Sequence, residues 1–228
     1  MSSEVIMKIY PIYHSGFMVE LEHHILLFDY YMKDLPIIQS DKPLYVFVSH
    51  KHQDHYNPEV FEKTKDFKNR TFILANEIKQ TPIHVIHMHH DETIHVDDMT
   101  ISTLLSTDSG VAFIVEVEDK VIYHAGDLHL WLWEDDSEKE AKMMRGSFMA
   151  EMKKIKDRHF DLAFLVLDPR QGDELACEGL EIFNEWTDTS VIFPMHFSSD
   201  PARMEELLLK VKNSENIVNT ERVKEYEF

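Results

Sequence analysis

An α/β architecture of two β-sheets flanked by helices is predicted for this 228-residue chain by three features of its sequence. Leu44-Tyr-Val-Phe-Val48 is apolar at five successive positions, as in a strand covered on both faces. The segment HSGFMVELEHHILLFD (14–29) is echoed by DSGVAFIVEVEDKVIYHAGD (108–127). Each has a polar residue before Ser-Gly, an apolar strand ending in Glu, a tight turn, a second strand and a terminal Asp. The third feature is a C-terminal part dominated by helical patterns. Two similar hairpins, each with a further strand and helices, predict two packed sheets with helices outside.

The elements follow in order. Strands are expected at about 5–10, 17–21 and 24–28, then at 44–48. Asn57-Pro58-Glu59 predicts a helix start, with a capping side chain and Pro at the first helical position. A short strand within 71–74 precedes a strand-rich region: 83–88, 93–96, 99–105, 110–118 and 120–124. Ser137-Glu-Lys-Glu140 is a capping-box pattern, followed by Met144, Phe148, Met152 and Ile155 at helical spacing. A strand at 161–167, a helix at about 173–186 and a strand at 190–193 come next. Asp200-Pro201 then opens a last helix carrying Met204, Leu207 and Leu208. Apart from the acidic stretch 134–140, no low-complexity segment divides the chain, and residues 1–228 are read as one domain.

Composition limits the function classes. With 43% hydrophobic and 29% charged residues, the chain has the balance of a soluble globular protein. It contains no apolar run of about 18 residues, so no membrane-spanning helix is expected. The N-terminus has no basic start followed by an apolar stretch, and a lone Cys177 forms no intramolecular disulfide. A cytoplasmic location is therefore expected. The net charge of -19 opposes nucleic-acid binding, which rests on phosphate contacts from a basic surface. A small-molecule substrate is the expected partner, and the oligomeric state is not set by the sequence.

The chemistry is concentrated directly after the apolar strand, in Ser49-His50-Lys-His52-Gln-Asp54-His55. His50 and His52, one residue apart in extended chain, project to the same side and can share one metal. Asp54 and His55 follow as the chain turns, and can aim at a second metal. Imidazole with carboxylate suits zinc and, with more oxygen ligands, manganese or iron.

This His-x-His-x-Asp-His motif resembles that of the metallo-β-lactamase superfamily, particularly its compact cytoplasmic members similar to the ascorbate-phosphate lactonase group. The opening hairpin ending at Asp29, Gly126-Asp127 and Pro194-Met-His-Phe197 follow in the order that family shows. The resemblance implies an αββα sandwich of two mixed sheets with a two-metal site. It also implies that Asp54, His55 and His196 hold one metal and that Asp127 bridges both. Where many members carry a third histidine for the first metal, this chain has Asp108 in Ser-Thr-Asp-Ser-Gly. A site of His50, His52 and Asp108 is feasible, and its added carboxylate favours manganese or iron more than three imidazoles would. Asp29 resembles the family's aspartate that supports a metal-bound histidine.

Further residues are candidates by position. His14 precedes Ser-Gly at a strand start and is a candidate for a role near the metals; His124, three residues before Asp127, is either a partner of the metal ligands or a satisfied core histidine. His129, Trp131 and Trp133 follow Asp127, so His129 and Trp131 are candidate substrate contacts, with plain packing as the competing account of the two tryptophans. Arg170, after the strand at 161–167, is placed either to hold an anionic substrate group or to pair with an acidic neighbour. His84, His87, His89, His90 and His95 are expected to face solvent. Together these features predict a metal-dependent hydrolase in which two cations about 3.5–4 Å apart acidify a bridging water. Asp54 would orient that water and accept its proton. The substrate classes are small esters, lactones, thioesters or phosphodiesters. A metal-binding sensor that keeps the fold is the competing reading, disfavoured because every metal position carries a residue able to coordinate.

Overall fold

The computed structural model describes residues 7–38, 41–79, 81–197 and 200–228. The first half holds β1 (Lys8–Tyr13), β2 (Gly16–Glu20), β3 (Ile25–Phe28), β4 (Leu44–Val48), α1 (Val60–Lys63), β5 (Arg70–Ala75) and β6 (Ile86–Met88). Next come β7 (Thr93–Val96), β8 (Met99–Leu105), β9 (Val111–Val117), β10 (Lys120–His124) and α2 (Glu138–Ile155). The chain closes with β11 (His159–Val166), α3 (Asp173–Trp186), β12 (Asp188–Met195), α4 (Pro201–Leu208) and β13 (Tyr226–Glu227). Two compact units result, Met1–His89 with Glu221–Phe228, and His90–Thr220.

The first unit is a seven-stranded mixed sheet in the order β13-β1-β2-β3-β4-β5-β6. The hairpin β2–β3 is antiparallel, whereas β3, β4, β5 and β6 run parallel. Leu44, Val46 and Val48 share one apolar cluster with Val60, Phe61, Phe72 and Leu74. Tyr45 and Phe47, on the opposite face of β4, are buried as well, which is why this strand reads as a continuous apolar run. At the β1–β2 link His14 takes a left-handed φ of 56°. A side chain at Gly16 would start 3.1 Å from the carbonyl oxygens of both Asp29 and Tyr13, so the close approach of these strands requires glycine.

The second unit is a six-stranded mixed sheet in the order β12-β11-β10-β9-β8-β7. Its hairpin β9–β10 turns through Glu118 and Asp119, both at positive φ (51° and 57°), the twist that suits a two-residue connection. That turn ends β9 at Val117, one residue before the expected limit. Beyond the hairpin, β10, β11 and β12 are parallel. Ser137 caps α2 through the expected reciprocal bond with Glu140, and Phe148, Met152 and Ile155 form its buried face. Tyr123 on β10 stacks on Phe183 of α3 with ring centroids 4.9 Å apart. Each such buried apolar side chain contributes about 1.5–3 kcal/mol.

Other boundaries differ from expectation: β1 runs on to Tyr13, and β11 and β12 each begin two residues early. Asn57 Oδ1 accepts the Glu59 N–H, but α1 begins only at Val60, with Glu59 as a cap that makes no side-chain bond, so neither Asn57 nor Pro58 holds its expected place. The helix is a single turn, and the Thr64 hydroxyl donates back to the Val60 carbonyl at its end. The strand expected at 83–88 forms only at β6. The expected start of the first strand at 5–6 lies outside the described residues. Among the described residues, no helix is long and apolar enough to cross a membrane.

Candidate functional site

In the first unit the parallel strands β3 and β4 end side by side and deliver Asp29 next to Ser49-His50. Asp29 Oδ1 accepts the Ser49 N–H (2.7 Å), and Oδ2 accepts the Ser49 hydroxyl (2.6 Å) and lies 2.7 Å from His55 Nδ1. Ser49 Oγ also lies 2.9 Å from His50 Nδ1. Proton bookkeeping fixes the tautomers. The serine's one proton goes to the carboxylate, so His50 must donate its Nδ1–H to Oγ, and His55 donates its Nδ1–H to Asp29. Both rings then carry their lone pair at Nε2, the form in which imidazole ligates a metal.

The motif folds as a helical turn, with the His55 and Tyr56 N–H groups donating to the His52 carbonyl (3.0 and 2.9 Å). The His50 ring lies 4.1 Å from that of His55 and 4.7 Å from that of His52, which is exposed. Glu77 Oε1 accepts the Lys51 N–H at 2.7 Å and so pins the segment between the two histidines. His14 Nε2 stands 3.4 Å from Asp54 Oδ2. Hydrogen bonding to His14 is the main cause that holds the Asp54 carboxyl below the usual carboxylate range; it outweighs partial burial and is aided by His55. Ligating atoms of His14, Asp54 and His55 lie within 4.8 Å of one another.

In the second unit β10 ends at the buried His124, whose Nδ1 accepts the Gly126 N–H at 3.1 Å. Gly126 takes a φ of 52°, and this tight turn presents Asp127, which is 4% exposed. Carboxylate oxygens of Asp127 and of the exposed Asp108 lie within 4.8 Å of each other. His196 follows β12, its Nε2 3.4 Å from Asp127 Oδ1 and its Nδ1 2.8 Å from Asp168 Oδ2. Asp168, fully buried after β11, also binds the Arg170 guanidinium. Burial works to raise its carboxyl, but bonds from His196 and Arg170 together bring it well below the usual range. Arg170 therefore has the acidic neighbour that was one of its two expected roles.

His129 requires a correction. It was expected at the substrate, but it is 2% exposed, with Nε2 2.8 Å from Gln171 Oε1. A Cβ on Gly179 of α3 would come within 2.7 Å of its ring, so the imidazole fills the space against that helix. Desolvation pushes its pKa down to about 4 and keeps it neutral. Gln171 in turn donates to the Leu130 and Leu132 carbonyls (2.9 and 3.1 Å), and Thr107 Oγ1 accepts the His129 N–H (2.9 Å). These bonds fix the segment that carries Asp127 and the tryptophans. Trp131 Nε1–H donates to the Asp127 carbonyl (3.0 Å), its ring meets the His196 ring edge-on, and Trp133 stacks parallel to it at 6.3 Å. The five histidines from 84 to 95 are exposed, as expected.

Sequence reading did not assign Ser49, Glu77, Thr107, Gln171 or the link from Asp168 to His196. Only Asp168 carried a signal, its place at a strand end beside Arg170.

Comparison with known proteins accords with this geometry. Residues 8–144 match the sequence model of the beta-lactamase superfamily domain. A UPF0173 metal-dependent hydrolase of Methanosphaera stadtmanae is 24% identical over 235 residues, covering 92% of each chain. The UPF0173 metal-dependent hydrolase YtkL of Bacillus subtilis is 25% identical over 215 residues, covering 82% of this chain and 84% of its own. The metallo hydrolase Igni18 of the archaeon Ignicoccus hospitalis shares the fold, with a TM-score of 0.71 and 19% identity over 98% of each chain.

Proposed function

This chain belongs to the metallo-β-lactamase superfamily, and from that premise we propose that it is a metal-dependent hydrolase of a small ester, lactone, thioester or phosphodiester. One observation supports the reading above the rest. In each unit a buried carboxylate holds the Nδ1 edge of a histidine, Asp29 for His55 and Asp168 for His196. Carboxylate-backed imidazoles that present Nε2 are the donors divalent transition metals select. The proposed ligands are His50, His52, Asp54 and His55 from the motif, with Asp108, Asp127 and His196. They would hold two divalent cations, zinc foremost, with manganese or iron as alternatives favoured by the carboxylate at 108.

When bound, such cations supply Lewis acidity, which lowers the pKa of water toward about 7 and polarises the bond under attack. The chain's own residues do the rest. Asp54, whose carboxylate stands beside His14, would orient the attacking water and receive its proton. Asp29, Ser49 and Asp168 hold the imidazoles in one tautomer and one orientation. Trp131 and Trp133, stacked beside His196, would receive an apolar part of the substrate. The single-domain organisation and a cytoplasmic location belong to the same proposal.

The test is a panel of lactones, thioesters, esters and phosphodiesters assayed with protein loaded with zinc, manganese or iron. Turnover of at least one class, abolished by chelation and accompanied by up to two metal ions per chain, is expected. No bound metal after reconstitution removes the reading. Metal binding without turnover on any class returns the protein to the sensor alternative.

A further inference from the structure

We infer that Arg170 is a positioning residue that acts on His196 through Asp168, and not a clamp for an anionic substrate. The inference deepens the hydrolase reading, because it concerns a histidine proposed there as a metal ligand.

The chain of contacts runs from surface to interior. The Arg170 side chain is 55% exposed, Asp168 is fully buried, and His196 is 3% exposed. Arg170 approaches Asp168 three times: its backbone N–H donates to Oδ1 (2.9 Å), its Nε lies between both oxygens (2.9 and 3.0 Å), and its Nη2 reaches Oδ2. The same Oδ2 accepts from His196 Nδ1 at 2.8 Å. A buried carboxylate is costly to leave uncompensated, and the single N–H of a neutral imidazole does not balance its charge. The guanidinium supplies that charge, and its planar fork sets the rotation of the carboxylate. The carboxylate's rotation in turn sets the plane of the His196 ring through its bond to Nδ1.

The local sequence favours this geometry. Pro169 opens the 3-10 turn Pro169–Gln171, and Asp168 caps it. The fixed φ of proline bends the chain straight back, so that Arg170 returns to the carboxylate two residues before it. Gln171, the next residue of the turn, secures His129, Leu130 and Leu132. One turn thus supports both His196 and the segment that follows Asp127. In the first unit, Asp29 performs the equivalent task for His55 while accepting from the Ser49 N–H and hydroxyl.

The experiment compares Arg170→Met and Arg170→Lys with wild type in the full chain. Arg170 is half-exposed, so both variants are expected to fold, and circular dichroism checks this. In the metal-free protein, ¹⁵N-histidine NMR should show a hydrogen-bonded Nδ1–H for His196, assigned with His196→Gln. That resonance should shift or exchange-broaden in Arg170→Met and be partly restored in Arg170→Lys. Zinc affinity by chelator competition should fall about 10- to 100-fold in Arg170→Met, the usual effect of losing an outer-shell partner. On any substrate found, kcat should fall while KM stays near its original value. An unchanged His196 resonance in Arg170→Met overturns the inference, whether or not the protein hydrolyses anything. So does a raised KM for anionic substrates alone with wild-type zinc affinity, which is the behaviour of a clamp. Absence of hydrolysis in wild type counts against the hydrolase reading, and the NMR result still decides the relay.

Discussion

Asp29 Oδ2 lies 2.7 Å from His55 Nδ1, with both side chains buried and Ser49 closing the other side of the carboxylate. The pair defines which nitrogen His55 presents. Asp29→Asn replaces an acceptor-only group with one that also carries an NH₂ donor. In either orientation that donor would face an N–H, of the Ser49 backbone at the Oδ1 position or of His55 at the Oδ2 position. Zinc affinity, measured by competition with a chromophoric chelator, is expected to fall about 10- to 100-fold. Wild-type affinity in this variant would mean that His55 is not oriented by Asp29.

The exposed Asp108 provides a test of metal preference. Asp108→His supplies a third imidazole and should move the zinc-to-manganese ratio toward zinc when both are offered in equal amounts. Asp108→Ala should lower the metal content. Elemental analysis checks both variants, and unchanged content in Asp108→Ala would exclude Asp108 as a ligand.

Asp127 is 4% exposed on a turn fixed by His124, Trp131 and Thr107, so its backbone is held independently of its carboxylate. Asp127→Asn should leave the circular dichroism spectrum native. Hydrolysis of any substrate found is expected to drop by on the order of 100-fold or more, the scale of losing an electrostatic contact at a reacting centre. Full activity would refute a mechanism that uses this carboxylate.

Two helical glycines should respond with opposite sign. Gly146 in α2 has nothing within 4 Å of where a Cβ would sit, so Gly146→Ala should stabilise by about 0.5–1 kcal/mol. At Gly179 a Cβ would meet the His129 ring at 2.7 Å and Leu130 Cβ at 3.2 Å. Gly179→Ala is therefore expected to destabilise by about 1–3 kcal/mol despite its better helix propensity. Urea unfolding of the metal-free protein reads both, and stabilisation by Gly179→Ala would show that α3 and His129 are not in contact.

Cys177 is 3% exposed, and burial pushes its thiol up to about 11. A raised thiol pKa means less thiolate at any pH below it, so reactivity should increase as pH climbs toward 11. At pH 8.5 alkylation of the native protein should be roughly 100-fold slower than in denaturant. Mass spectrometry after a timed exposure to iodoacetamide checks this, and equal rates would contradict the burial.

The sequence by itself determined the strands and helices wherever a local pattern was sufficient. Leu44–Val48 is apolar on both faces, Ser137 and Glu140 cap one helix, and Asp200 caps another. The echo between 14–29 and 108–127 corresponds to two antiparallel hairpins, β2–β3 and β9–β10, each continued by a parallel strand. The clustered histidines at 50–55 were legible because their spacing is local. Asp29 and Asp127 occupy equivalent ends of those hairpins, yet only the tertiary structure separates their tasks: Asp29 supports His55, whereas Asp127 stands beside His196. Likewise Asp168 and His196 are 28 positions apart and meet only because β11 and β12 pair in parallel register. His129 could not be read as an interior group, since what buries it is a bare glycine on a distant helix. Periodicity and capping act over a few residues and leave their mark in the sequence. Carboxylate–imidazole pairs and close helix contacts depend on which strand ends become neighbours, and that is decided by sheet order.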